Sequence, residues 1–411
     1  MASVARALVR AYAMSTDDFA MLTENTVAGY LRSRRELRTR IDADSVTVRE
    51  VGDGNLNLVF VCRDALGASL VLKQAIPFVR VVGPSWPLTV ARADAEARGL
   101  VAAGRASPTT SVELFAYDPL HHVLAMEDLS ALTVWRTALN RGEVGAHAAA
   151  DCGRHLARLF LDTNTADLSP AERATTVERC ANPAMCEITN DLVFIEPFID
   201  HANNRFDDAL RPQVEALRTD ARLRAQVERL RRNFATSHEA LIHGDLHTGS
   251  VMIALGEQPA TKVIDAEFCF YGPIALDLAM LLGNLLFASI RAACLGDDRR
   301  CQALAALPGA MWGAFADEVR TRADSGGVLG EVEVAEQLAR IARDAFGFGG
   351  CEVIRRIVGF AKVSDIETLP DEPRRLASAR ALGVAQRWLT DPRVDWGSDL
   401  LATAVPDDSA R

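Results

Sequence analysis

Apolar residues recur at helical spacing from Asp17 to Arg40, with Leu22, Val27, Tyr30 and Leu31 on one stripe. The pattern then shortens to the two-residue period of strands. Val46–Val51 (VTVREV), Leu56–Cys62 and Ser69–Lys73 predict a three-stranded antiparallel meander, turning at Gly52-Asp53-Gly54-Asn55 and again at Asp64–Ala68. Pro77–Pro87 (PFVRVVGPSWP) breaks the pattern with three prolines and carries Trp86, read as exposed. A helix is expected over Thr89–Ala103, with Glu96 near its middle. Strands at Val112–Tyr117 and Val123–Glu127 then flank an Asp118–His122 turn, and Met126-Glu127-Asp128-Leu129 closes the β-rich region.

Beyond this point the helical period dominates. Helices are predicted at Glu143–Asn164, at Arg211–His238 as one long amphipathic element, and after Ile274 at Leu276–Ile290, Ala303–Ala323, Gly330–Phe346, Val353–Leu369 and Arg374–Leu389. One short β-hairpin interrupts them: Ser250–Leu255 and Thr261–Ile264, joined by Gly256-Glu257-Gln258-Pro259. The polar tail after Val394 lacks a core pattern and is expected to be mobile. A β-rich front on a helical rear predicts an α+β bilobal fold, with lobes at 1–128 and 129–411 and a cleft near Asp128.

Composition narrows the function classes. A net charge of −10 argues against a nucleic-acid or membrane-surface binder, and the run Arg32, Arg34, Arg35, Arg38, Arg40 reads as a solvated face. Ile274–Ile290 is apolar apart from Asp277 and Asn284, and is read as a core helix rather than a membrane span. Eight cysteines without a CxxC pair read as reduced thiols of a cytoplasmic protein. The first fourteen residues are rich in Ala and Arg and lack acids, which suits either a short targeting segment or translation from Met14.

The candidate chemistry lies in LIHGDLHTGSVMIALGEQPATKVIDAEFCFYG, Leu241–Gly272. The hairpin inside it returns Asp265 and Glu267 beside Asp245. Phosphoryl transfer needs such a set: one carboxylate at the attacking hydroxyl and others holding Mg²⁺ against phosphates. Two carboxylates two residues apart would share one side of an extended run, and their repulsion calls for a cation between them. The turn at Gly52, Gly54, Asn55 and Asn57 is an ordinary hairpin turn or a phosphate cover. The strand order that follows favours the second reading, because it ends at Lys73, a residue able to contact phosphates while a helix-borne acid holds it. Glu96 is the candidate acid, with Glu50, Asp94 and Glu113 as alternatives. No GxxxxGK[ST] motif is present, which disfavours a P-loop NTPase. Arg355 and Arg356, adjacent on an apolar helix, either pair with a neighbouring acid or clamp a phosphate or sugar hydroxyl.

In this order, the Gly-rich turn, Leu72-Lys73-Gln74-Ala75, the Gly83–Pro87 loop, Glu96, Met126–Leu129, HGDLHTGSV (His243–Val251), AEFCFYGP (Ala266–Pro273) and Arg355–Val358 resemble the aminoglycoside-phosphotransferase and choline-kinase branch of the protein-kinase-like fold. Within that branch the likeness is to the 5-methylthioribose kinases, and it covers most of the chain. The resemblance implies ATP-dependent phosphorylation of the 1-hydroxyl of 5-methylthioribose, a step of methionine salvage, and a homodimer. Asp245 would be the catalytic acid/base, Asp265 and Glu267 the Mg²⁺ ligands, and Lys73 a phosphate contact. The backbone at Met126, Glu127 and Asp128 would meet adenine, and Trp86, Arg355 and Arg356 would close over the sugar. Ser250 stands where many relatives of the wider fold carry an Asn that ligates a second Mg²⁺, and Ala266 replaces an expected proline; neither change removes a reacting group. A kinase for another 5-substituted ribose, an aminoglycoside- or choline-type phosphotransferase, and a catalytically silent nucleotide-binding module are the alternatives.

Overall fold

The computed structural model describes residues 19–52, 56–324, 331–391 and 396–397. The expectations for the first fourteen residues, for Gly54 and Asn55 and for most of the tail therefore lie outside the described residues. Five antiparallel strands form the N-terminal sheet in the order β1-β2-β3-β5-β4: β1 Thr47–Glu50, β2 Asn57–Arg63, β3 Ser69–Ala75, β4 Leu114–Asp118 and β5 Val123–Met126. The expected meander is its first three strands, and β3 is central, hydrogen-bonded to both β2 and β5.

Period-two alternation along β3 sorts its side chains onto two faces. Leu70 and Leu72 pack with Val27 and Leu31 of the helix Glu24–Ser33. That helix is shorter than the Asp17–Arg40 pattern suggested, because Arg34 takes extended backbone angles and a single 3₁₀ turn follows. Val71 and Ala75 face the other way, toward Ala93, Ala97 and Leu100 of the helix Arg92–Ala106. Lys73 shares the second face, so sheet register alone aims it at that helix.

The C-terminal part is mainly helical around Ala275–Cys294. Its short strands are β6 (Thr133–Val134), β7 (Ala240–Ile242), β8 (Val251–Ala254), β9 (Ala260–Val263) and β10 (Phe270–Gly272). The central helix is long and apolar enough to cross a membrane, but 94% of its apolar window is buried inside the protein, as for a core helix. Three helix boundaries differ from the sequence pattern. Arg211–His238 is two helices, Arg211–Thr219 and Ala221–Thr236, because Asp220 leaves helical angles and its carboxylate caps the Arg222 and Leu223 N–H groups. Ala303–Ala323 likewise divides into Asp298–Ala305 and Leu307–Asp324.

Conversely, Gly330–Phe346 and the start of Val353–Leu369 belong to one helix, Glu331–Val358, which passes straight through Gly347-Phe348-Gly349-Gly350. Those glycines are contact points rather than breaks. A Cβ on Gly347 would lie 2.8 Å from Leu230, and one on Gly350 would lie 2.8 Å from Leu389 and 2.9 Å from the Ala385 carbonyl. Close helix approach outweighs the ~1 kcal/mol propensity cost of each glycine. The tail is not wholly outside the core either: Trp396 is buried, stacked on Trp312 at 5.1 Å and edge-on to Phe346 at 4.9 Å.

Candidate active site

After the helix Ala221–Thr236 the chain enters β7, pairs with β10, and delivers His243-Gly244-Asp245. Gly244 has φ +84°, and a Cβ there would lie 2.3 Å from the Phe268 carbonyl oxygen, so only glycine fits. Asp277, fully buried near the start of the core helix, fixes the turn from beneath. Its two carboxylate oxygens accept the backbone N–H groups of His243 at 2.7 Å and Gly244 at 2.9 Å. Burial pushes the Asp277 carboxyl up to about 6, against the pull of those two bonds.

Asp245 keeps 24% of its side chain exposed. Its Oδ1 accepts from Arg355 at 3.0 Å, with an Arg356 nitrogen at 3.8 Å, while Oδ2 lies 3.6 Å from His247 Nε2. Both arginines are themselves held by Glu352, which is wholly buried and ion-paired to each of them. The ion-pair reading of the two arginines therefore holds: both pair with Glu352, and Arg355 also reaches Asp245. His247 Nδ1 accepts the Gly249 N–H at 3.1 Å, which leaves the ring hydrogen on Nε2, and burial holds its pKa well below the usual histidine value. Ser250 is buried, its hydroxyl donating to the Asp245 carbonyl at 3.3 Å.

The hairpin forms as expected, with β8 against β9, and it brings Asp265 back beside the loop. His243 Nε2 meets the Ile264 carbonyl at 2.8 Å, tying the two acidic segments together. Asp265, 44% exposed, receives a short hydrogen bond from Lys73 Nζ. Lys73 also bonds Glu96 at 2.7 Å, which selects Glu96 from the four candidate acids. Burial opposes the Lys73 charge, but Asp265 and Glu96 hold its pKa above the usual range.

The two acids of Asp-Ala-Glu are not placed by extended alternation. Asp265 has φ +70°, a left-handed conformation in which the two-residue period is lost. Each takes its own cation from the protein, Lys73 on Asp265 and Arg92 on Glu267 at 2.9 Å, so the expected repulsion is already relieved without a metal. Glu267 is 3% exposed, and its Oε2 also accepts from Asn57 at 3.0 Å. Asn57 thus lies in this buried set.

Around the join between the two parts, Met126 is buried at the end of β5 and Glu127 bonds Lys262 at 2.9 Å. Asp128 caps the Ser130 N–H and pairs with Arg63 at 3.3 Å. Gly52 is the last described residue before the turn; its carbonyl accepts from Arg80 at 3.3 Å. Trp86 is half-buried rather than exposed, its ring 5.4 Å from Phe360 just past Arg355-Arg356. The irregular loop therefore reaches the segment just past the arginine helix, which ends at Val358. Sequence reasoning passed over Arg92, Asp277 and Glu352 as functional residues. The signal for Asp277 and Glu352 was a charge in an apolar helix; Arg92 had none.

A lysine held between Glu96 and Asp265, with Asp245 anchored by Arg355 on the loop that His243 ties to the Asp265 segment, is the donor and acceptor set of a small-molecule phosphotransferase. Residues 47–312 match the phosphotransferase enzyme family. The methylthioribose kinase of Pectobacterium atrosepticum is 41% identical over 350 residues, covering 82% of this chain and 85% of its own. That of Cronobacter sakazakii is 40% identical over 372 residues, 87% of this chain and 92% of its own. The chain belongs to the methylthioribose kinase family.

Proposed function

We propose that this protein transfers the γ-phosphoryl group of ATP to the 1-hydroxyl of 5-methylthioribose, in methionine salvage. The observation that carries the substrate is the identity of about two residues in five to curated methylthioribose kinases along more than four-fifths of the chain. The site supplies the chemistry. Asp245 Oδ1 is fixed by Arg355, which leaves Oδ2 to accept the proton of the sugar hydroxyl as the oxygen attacks phosphorus in line. Neutral His247 beside Oδ2 adds no competing positive charge. Lys73, steadied by Glu96, turns its ammonium to the ATP phosphates. Trp86 against Phe360, which follows the helix of Arg355 and Arg356, would bound the sugar and exclude water.

Magnesium fits here. Mg²⁺ is ordinarily held by one or two carboxylates plus substrate phosphates rather than by a protein cage, and Asp265 offers an exposed carboxylate on the cleft wall. Glu267 would be the second protein group, and the ion would supply neutralisation of charge on the phosphate oxygens. Adenine would lie along the Met126–Asp128 backbone, where the 1–128 and 129–411 lobes join. A reducing, cytoplasmic setting accords with eight cysteines that are all free thiols. The family resemblance supports a homodimer, which light scattering would check.

The test is an ADP-release panel on 5-methylthioribose, 5-deoxyribose, ribose, choline and kanamycin. The expected result is the highest kcat/KM on 5-methylthioribose. A preference for choline or kanamycin overturns the substrate; ADP release on none of them overturns the activity.

A further inference from the structure

Arg92 is the first residue of the helix Arg92–Ala106, and it is completely buried. A buried guanidinium has five N–H donors to satisfy, and here each finds an acceptor. Nε donates to Glu267 Oε2 at 2.9 Å. One terminal nitrogen donates to the carbonyls of Ile76 at 2.9 Å and Thr89 at 2.6 Å. The other donates to the Leu56 carbonyl at 3.0 Å and to Asn57 Oδ1 at 2.9 Å. Asn57 closes a ring by donating its own amide to Glu267 Oε2. One side chain thus joins four segments: the end of the glycine-rich turn, Ile76 directly after β3, the approach to the helix at Thr89, and the Asp-Ala-Glu run.

Both bonds to Glu267 fall on Oε2, which fixes the plane of the carboxylate and leaves Oε1 as the oxygen not engaged by this ring. We infer that Arg92 is a positioning residue for phosphoryl transfer: it orients Glu267 and the base of the glycine-rich turn as one unit, so that the nucleotide phosphates and their cation meet a preformed wall. This rests on the phosphotransfer reading above. Groups that hydrogen-bond a ligating carboxylate commonly set metal affinity within a factor of about 10–100.

Isothermal calorimetry of ATP binding, without sugar, over a range of Mg²⁺ concentrations tests the inference on Arg92→Lys and Asn57→Ala. Lysine keeps the charge but cannot serve five acceptors. Asn57→Ala removes one bond to Oε2 and one of the five acceptors of Arg92 but keeps the Arg92–Glu267 bond, so it remains informative if the arginine variant does not fold. The expected result is about a 10-fold or greater rise in the Mg²⁺ needed for half-maximal ATP binding, with KM for the sugar unchanged. A lower active fraction with unchanged Mg²⁺ dependence in the folded variants would mean a purely structural role and overturns the inference. Failure of the unsubstituted protein to bind ATP at any Mg²⁺ concentration would instead overturn the phosphotransfer reading itself.

Discussion

Asp277 grips Gly244 through the backbone, its Oδ1 accepting the glycine N–H at 2.9 Å from inside the core helix. The turn that carries Asp245 therefore hangs on a wholly buried carboxylate. Asp277→Asn keeps the volume but offers a single acceptor oxygen to two N–H groups. An unsatisfied buried donor costs about 1–3 kcal/mol, so the variant should melt at lower temperature and lose kcat, both measurable by thermal unfolding and ADP release.

The same group carries a pH dependence. With its folded pKa raised to about 6 and an unfolded value of about 3.9, the folded protein binds more protons here than the unfolded chain between those two pH values. This group's contribution to stability therefore falls as pH rises through that window and is smallest above it. Activity should move oppositely, declining below about pH 6 as the proton on Asp277 displaces one N–H bond. A kcat–pH profile checks this; the acid limb should change in Asp277→Asn.

Asp245→Asn should lower kcat by roughly 10²–10⁴, the range for a general base, with little change in ATP affinity. Arg355 and Arg356 keep Glu352 as partner in that variant, so the fold is expected to persist. Calorimetry with ATP and ADP release with the sugar separate the two effects.

Lys73→Met should raise KM for ATP and destabilise the protein, since it strips the cation from buried Glu96. Breaking one side of a buried pair costs about 3–5 kcal/mol. The loss should be larger at about pH 8 than at about pH 6, where Glu96 can take up a proton, and Lys73→Met/Glu96→Gln should recover part of it. Thermal melts at the two pH values decide.

Gly350→Ala sets two effects against each other. Helix propensity gains up to ~1 kcal/mol, while overpacking against Leu389 and the Ala385 carbonyl costs about 1–3 kcal/mol. Contact should win, and the denaturant midpoint should fall.

Local pattern carried much of this molecule. The meander, the hairpin and the spacing of Lys73, Asp245 and Asp265 follow from short-range periodicity and turn chemistry; Lys73 meets Asp265 directly, and His243 ties the Asp245 loop to the Asp265 segment. What local pattern misses is tertiary. Gly347, Gly349 and Gly350 read as a break because propensity counts only the helix they belong to, not Leu230, Trp388 and Leu389 against it. Nothing in the residues flanking Arg92 marks it out; its five acceptors come from four separate segments. Asp265 looked extended, yet its left-handed backbone separates it from Glu267 in bonding.

The unbroken helix Glu331–Val358 has a consequence for how substrate handling can drift. It behaves as a lever whose fulcrum is the glycine contact with Leu230, Trp388 and Leu389 and whose short arm ends in Glu352, Arg355 and Arg356. A change of side-chain size at the fulcrum, remote from Asp245, is expected to shift the arm and with it the bond that Arg355 makes to Asp245.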